Sequence, residues 1–404
     1  MTDFGGVNIG IFGHVDHGKT TIVEALTGKW ADVHSEEIKR GITIRLGYAE
    51  TIVYKCKKCK EPNCYCTMKK CPTCFGDTEP VRTISFVDAP GHNALMATVL
   101  SGASLIDGAL LIISADEECP RPQTAEHLMT LDIVGIKNIV IVQNKIDLVS
   151  QEEVMKNYEQ IKDFVKGTIA ENTPIIPISA VQRVNIDALL QTMEKSIPTP
   201  ERDLEADPKM FIARSFDVNK PGTDLEKIVG GVLGGSLTKG LFKVGDKIEI
   251  RPGVNIKGKY TPLKTEITVL QKFGKKLKEA GPGGLIAVGT KLDPSLTKSD
   301  SLTGNLAGSE GKLPPIWESL TLKVSLLESV VGTKEDMTVS NISTNEPLMI
   351  TSGTGRTIGV VSSSRENTID INLKSPICAE KKDKIALFRQ VGGRWRLIGY
   401  GIIK

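Results

Sequence analysis

At 404 residues the chain is too long for one ordinary hydrophobic core, so two to three domains are expected. Its 51 basic and 48 acidic residues leave a net charge of +3, which excludes bulk polyelectrolyte character and confines any nucleic-acid contact to local patches. Hydrophobic content of 40% supports folded domains. No run of about eighteen apolar residues predicts a membrane span, and the opening Met1-Thr2-Asp3-Phe4 is not a basic, apolar leader. The expectation is a soluble, cytoplasmic protein with no membrane contact.

The apolar run 7–12 predicts a buried strand, and 19–26 a short helix. Between them Gly13-His14-Val15-Asp16-His17-Gly18-Lys19-Thr20 fits G-x-x-x-x-G-K-[ST], the phosphate-binding loop. Strand, loop and helix in that order turn backbone N–H groups and a helix N-terminus toward a phosphate, and the two glycines clear the approach. Asp16, His17, Gly18, Lys19, Thr20 and Thr21 are the candidate phosphate contacts. Lys19 reaches the outer phosphates, and the Thr20 hydroxyl suits magnesium, a hard cation that prefers oxygen.

Further strands are expected at 82–88, 107–115, 138–147 and 173–180, alternating with helical patterns as in a parallel sheet covered by helices. One such helix, 150–169, opens on a Ser150/Glu153 capping box and puts Val154, Tyr158, Ile161 and Val165 on one face. Ligands of such sheets lie beyond the carboxyl ends of the strands. The residues there carry chemistry. Asp88-Ala89-Pro90-Gly91 suits the far side of a γ-phosphate: Asp88 holds magnesium through water, and the Gly91 N–H meets a phosphate oxygen. His92 follows, placed to orient an attacking water. Thr43, in the polar then β-branched segment 36–45, offers a second hydroxyl to magnesium. Asp16 and the Gly41 carbonyl are placed for an additional cation, unless Asp16 caps its own loop.

In Asn144-Lys145-Ile146-Asp147 a carboxylate accepts both N1–H and 2-amino hydrogens of guanine, a donor pair that adenine lacks. Asn144 braces the loop, Lys145 lies along the base plane, and Ser179, Ala180 and Val181 after the next strand present an N–H to the guanine O6.

Six of the eight cysteines crowd between Cys56 and Cys74, unlike a secreted disulfide framework. The paired spacing of Cys56/Cys59 and Cys71/Cys74 suits a tetrahedral, structural zinc. Cys64 and Cys66 are rival thiols, and five nearby lysines (Lys55, Lys57, Lys58, Lys69 and Lys70) are expected to offset the thiolate charge. Cys119 and Cys378 are expected in packing.

The proline- and charge-rich segment 196–208 cannot sustain a helix or central strand and predicts a domain boundary. Beyond it, short β-type segments alternate with expected glycine turns at Gly234-Gly235, Lys239-Gly240 and Pro252-Gly253, as in a barrel or sandwich. After a second polar break at 308–315, residues 320–324 and 368–373 alternate as half-buried strands, and Gly392-Gly393 reads as a hairpin turn. The basic runs Lys275-Lys276-x-Lys278 and Lys381-Lys382-x-Lys384 read as solvated loops or, less simply, phosphate contacts.

Taken together, Gly13 to Thr20, Arg40-Gly41-Ile42-Thr43-Ile44, Asp88-Ala89-Pro90-Gly91-His92 and Asn144-Lys145-Ile146-Asp147 resemble the translational GTPases. The cysteine insert, Cys119-Pro120-Arg121-Pro122-Gln123-Thr124 and Gly392-Gly393-Arg394-Trp395-Arg396 narrow the resemblance to the gamma-subunit family of archaeal and eukaryotic initiation factor two, with the archaeal form favoured. The resemblance implies an α/β P-loop GTPase domain, mostly parallel sheet with helices on both faces, at 1–205, with a zinc knuckle at about 55–76. Two β-barrel domains, 206–315 and 316–404, follow. It further implies GTP and GDP, Mg2+ and Zn2+ as ligands, and initiator methionyl-tRNA, alpha and beta subunits and the small ribosomal subunit as partners. The alternatives are an elongation-type carrier of selenocysteinyl-tRNA and a zinc-containing RNA-binding scaffold with structural nucleotide.

Overall fold

A computed structural model describes residues 6–28, 47–88, 105–272, 274–328 and 338–404. These fall into two compact units, one ending at Pro200 and the next starting at Glu201.

The first unit is built on β1 (Gly6–Gly13), β2 (Gly47–Cys56), β3 (Tyr65–Cys66), β4 (Thr78–Asp88), β5 (Gly108–Ser114), β6 (Ile139–Asn144) and β7 (Ile175–Pro177). They form one sheet in the order β3-β2-β4-β1-β5-β6-β7. The pairings β4-β1-β5-β6-β7 are parallel, and β2 and β3 add an antiparallel edge. All residues of β1 and β5 are buried, as strands covered on both faces must be. The described helices are α1 (Lys19–Thr27), α2 (Pro122–Val134), α3 (Gln151–Val165) and α4 (Ile186–Ser196). Ile9 and Ile11 share a core with Ile22 and Leu26 of α1 and Leu189 and Met193 of α4. Phe12, which alternation turns to the opposite face, meets the His127 ring of α2 edge-on. The sheet is therefore covered on both sides.

Local chemistry moves several predicted boundaries. The capping box at Ser150/Glu153 forms in both directions, but α3 stops at Val165 instead of 169. Gly167 adopts φ 74 and Thr168 Oγ1 donates to the Val165 carbonyl at 2.7 Å, which ends the helix. β6 ends at Asn144 because Lys145 turns to φ 64.

In the second unit β8 (Lys209–Phe216), β9 (Val232–Lys239), β10 (Phe242–Lys243), β11 (Lys247–Ile256), β12 (Lys259–Lys272), β13 (Lys275–Leu277), β14 (Glu279–Ala280), β15 (Ile286–Thr290) and β16 (Leu306–Ser309) come first. The ring β11-β16-β8-β9-β15-β12 closes through pairing of β12 with β11; β13 extends it, and β10 pairs with β14. Gly234-Gly235 is not the expected turn. Both glycines lie inside β9, where a Cβ on Gly235 would sit 1.9 Å from the Phe211 carbonyl oxygen; the glycine allows strands to approach. Pro252-Gly253 likewise falls within β11, at an irregularity between Ile250 and Val254.

The second barrel comprises β17 (Ile316–Leu326), β18 (Pro347–Ser352), β19 (Gly355–Arg365), β20 (Thr368–Cys378), β21 (Lys384–Val391) and β22 (Arg394–Ile403), closed in the order β17-β20-β19-β18-β21-β22. Leu320, Leu322 and Val324 point inward, and Gly392-Gly393 forms the expected hairpin turn. Closure leaves neither barrel a long open edge.

Candidate nucleotide pocket and metal centre

The phosphate loop connects β1 to α1. Gly18, at φ 84, is the N-cap of α1 and supplies no side-chain cap, so the positive end of the helix faces the loop, as anion binding requires. A Cβ there would lie 2.4 Å from Asn144 Nδ2. Asn144 is 2% exposed; its Nδ2 donates to the His17 carbonyl at 3.0 Å, while its Oδ1 accepts the Ala180 N–H at 3.1 Å. One side chain thus ties the phosphate loop to both base-side loops.

Lys19 Nζ donates to the His14 carbonyl at 2.7 Å. Thr20 Oγ1 donates to Asp88 Oδ2 at 2.8 Å, bringing together the two hard oxygen donors that magnesium requires. Thr21 is half-buried in α1, and Asp16 is exposed at φ 64. The His17 ring turns inward, with Nδ1 3.1 Å from the Ile112 carbonyl and Nε2 3.4 Å from Glu117. Burial pushes its pKa down to about 4, so the ring is neutral and only its backbone is available to a phosphate.

On the base side Lys145 Nζ lies 3.5 Å from Asp116, Asp147 is exposed, Ser179 Oγ accepts the Gln182 N–H at 3.1 Å, and Val181 is exposed. The expected residues Gly41, Thr43, Gly91 and His92 lie outside the described residues.

Two functional side chains were missed in the sequence. His127 Nδ1 accepts the Gly13 N–H at 2.8 Å, and Gln123 Oε1 accepts the Val15 N–H at 3.1 Å, so α2 holds the phosphate loop on either side of His14. His127 is fully buried, which lowers its pKa to about 3 and keeps Nδ1 an acceptor. The signal was present: Pro122 opens the helix, and positions 123 and 127 share a helical face.

The Sγ atoms of Cys56, Cys59, Cys71 and Cys74 all lie within 4.8 Å of one another. Cys56–Cys74 and Cys59–Cys71 separations are 3.5 and 3.6 Å. A zinc tetrahedron with Zn–S bonds of about 2.3 Å has edges of about 3.8 Å, so the set fits. Cys64 and Cys66 are outside it; the Cys66 thiol donates to the Met68 carbonyl at 3.3 Å. The N–H groups of Lys58 and Cys59 lower the Cys56 pKa, and those of Cys74 and Thr73 bring Cys71 to about 6. Lysines contribute less than expected: Lys57 pairs with Glu79, Lys70 with Asp77, and Lys55 with Glu61.

A nucleotide domain of this build followed along the chain by two closed barrels defines the translational GTPases, which hydrolyse GTP during protein synthesis. The family profile for the elongation factor Tu GTP binding domain matches residues 6–199, and that for elongation factor Tu domain 2 matches 230–304. The profile for initiation factor eIF2 gamma, C terminal, matches 318–403. The chain belongs to the translation initiation factor 2 gamma-subunit family. It is 58% identical over 399 residues to that subunit from Archaeoglobus fulgidus, covering 98% of this chain and 94% of the relative. Identity to the Methanothermobacter thermautotrophicus subunit is also 58%, covering 98% of each chain. Among solved structures, translation elongation factor SelB from Methanococcus maripaludis with the GTP analogue GppNHp superposes with a TM-score of 0.74. It covers 100% of this chain and 80% of that one at 24% identity, which shows the shared fold. Among the described residues no helix is long and apolar enough to cross a membrane.

Proposed function

We propose that this chain binds initiator methionyl-tRNA in its GTP state, delivers it to the small ribosomal subunit in the cytoplasm together with alpha and beta subunits, and is switched by GTP hydrolysis. The observation that carries this reading is identity of 58% over 98% of the chain to initiation factor 2 gamma subunits, extending through the C-terminal barrel. On this reading 1–205 is the GTP-binding domain, and 206–315 and 316–404 are separate barrel domains.

Asp147 reads guanine, Asn144 sets the distance between base and phosphates, and Lys19 with the N–H groups of 16–21 holds the phosphate oxygens. Thr20, Thr43 and, through water, Asp88 hold magnesium, which supplies positive charge to the phosphate oxygens when bound. The Gly91 N–H registers the γ-phosphate, and His92 orients the attacking water; Asp16 and Gly41 would hold any second cation. Zinc on Cys56, Cys59, Cys71 and Cys74 closes the insert structurally.

The test is a filter-binding competition. The GTP-loaded chain, with its partner subunits, should retain initiator methionyl-tRNA against elongator methionyl-tRNA and selenocysteinyl-tRNA, and release it with GDP; preference for selenocysteinyl-tRNA would overturn the proposal. Asp147→Asn should favour xanthosine over guanosine triphosphate by on the order of a hundredfold, because the new amide donates to the xanthine 2-oxo group. Unchanged guanine preference would remove Asp147 from the base pocket.

A further inference from the structure

The cysteine insert spends free energy on one side chain that does nothing for its fold. Phe75 follows the fourth cysteine and is 79% exposed, so its ring contributes little to the core. It also adopts φ 58, a left-handed conformation that a bulky residue takes only with strain and glycine takes freely. The turn requires that backbone: the Phe75 N–H donates to the Cys71 carbonyl at 2.9 Å, and the Cys71 N–H donates to the Gly76 carbonyl at 2.9 Å. A phenylalanine here is both out of the core and out of its preferred conformation. Such an outlier supports a functional reading.

The surroundings indicate the ligand. A Cβ placed on Gly76 would lie 3.5 Å from Lys58 Cδ, so the Lys58 stem runs past the turn that presents the ring. Lys58 makes no close ion pair among the described residues, although its charge helps to lower the Asp77 pKa, whereas Lys55, Lys57 and Lys70 are held directly by carboxylates. Within the insert, among the described residues, Met68 at 48% is the other large apolar side chain with substantial exposure. This is a projecting ring with one lysine stem beside its turn, not the contiguous apolar surface that a protein partner covers. One aromatic face with a lysine beside it suits an unpaired nucleobase and its phosphate; a duplex hides its base faces.

We propose that the zinc-knuckle insert is a single-stranded RNA contact in which Phe75 stacks on an unpaired base and Lys58 meets the adjoining phosphate. This contact is separate from the initiator-tRNA reading and does not depend on it. The charge balance shapes the expectation. Six lysines face three carboxylates between residues 55 and 79, and a zinc-bound thiolate quartet carries two net negative charges, leaving one positive charge. Stacking therefore supplies most of the affinity, and the salt dependence is shallow.

The test uses the full, zinc-loaded chain and a fluorescein-labelled 12-nucleotide RNA of unstructured mixed sequence, followed by fluorescence anisotropy. Phe75→Gly removes the ring and relieves the backbone, so its melting temperature should equal or exceed that of the parent. RNA affinity should fall about 5- to 150-fold, the loss of one base–aromatic stack. Phe75→Trp should restore binding, and a 4-thiouridine RNA should cross-link to residues 68–76. Parent and Phe75→Gly binding the RNA equally would overturn the proposal. So would parent affinity weaker than about 100 µM, the upper limit of ordinary non-specific binding. A parallel titration with an acidic, leucine-containing peptide gives the remaining outcome: dependence of peptide binding on Phe75, without dependence of RNA binding, would assign the ring to a protein partner and refute the RNA contact.

Discussion

Replacing Asn144 with alanine tests whether one buried amide sets the nucleotide pocket. Its side chain accepts the Ala180 N–H at 3.1 Å and donates to the His17 carbonyl at 3.0 Å, all within a site 2% exposed. Asn144→Ala removes both bonds and strands a buried N–H and a buried carbonyl, each costing about 1–3 kcal/mol, for a total of about 2–6 kcal/mol. The strand itself should survive, because the Asn144 carbonyl still accepts the Ala115 N–H at 2.8 Å. The loss therefore falls on the spacing between phosphate loop and base loop, which a nucleotide must span. GDP affinity measured by titration calorimetry should drop at least about thirtyfold, the equivalent of the lower figure. Asn144→Asp should be intermediate or worse, since it keeps the acceptor for Ala180 but turns a carboxylate toward the His17 carbonyl. A variant that binds GDP within threefold of the parent, with an unchanged melting temperature, would refute the brace.

Acid should destabilise the fold through His17 and His127, whose buried rings titrate near 4 and 3. Their stabilisation is complete above the unfolded value of about 6.5 and is lost as pH falls toward the folded values, at up to about 1.4 kcal/mol per pH unit for each ring. Urea midpoints that do not fall between pH 7 and pH 5 would contradict this. Zinc analysis should find one metal per chain, and chelation should expose four additional thiols to a thiol reagent and lower the melting temperature, because Cys56 and Cys71 also pack into the core of the first unit. Thiol counts unaffected by chelation would exclude the metal site. Gly235→Ala should lower stability by more than about 2 kcal/mol, since the new methyl would sit 1.9 Å from the Phe211 carbonyl oxygen. Chemical denaturation of the variant and parent measures this directly.

Sequence reasoning worked where one residue type admits one job. The loop from Gly13 to Thr20 and the paired cysteines have spacings that backbone geometry and coordination chemistry allow few ways to satisfy, and both assemble in the structure. It failed where the meaning of a residue depends on a distant partner. Gly234-Gly235 looks like a turn until Phe211 is seen across the ladder, and Gln123 and His127 look like ordinary helix residues until the loop they hold is known. The His17 ring is buried beneath the loop, which fits the expectation that the loop meets phosphate through backbone N–H groups. Lysines near the cysteines suggested a counter-charge for sulfur, yet three of them are drawn to Glu61, Asp77 and Glu79.

The pairing of β2 with β4 has a practical consequence. This antiparallel ribbon joins Gly47 to Asp88 at one end and Cys56 to Thr78 at the other, so its ten-residue strand separates Asp88 from the first cysteine by about 30 Å. The sulfur-bearing tip nevertheless does not stand free: Cys56, Cys64, Tyr65 and Cys71 belong to the same core as Ile9 and Ile22, and Glu61 meets Lys195 of α4 at 2.8 Å. Cutting the ribbon back to a turn joining Val53 to Arg82, which already face each other, would therefore strip buried residues from that core and lower the stability of the whole unit along with removing the cysteines.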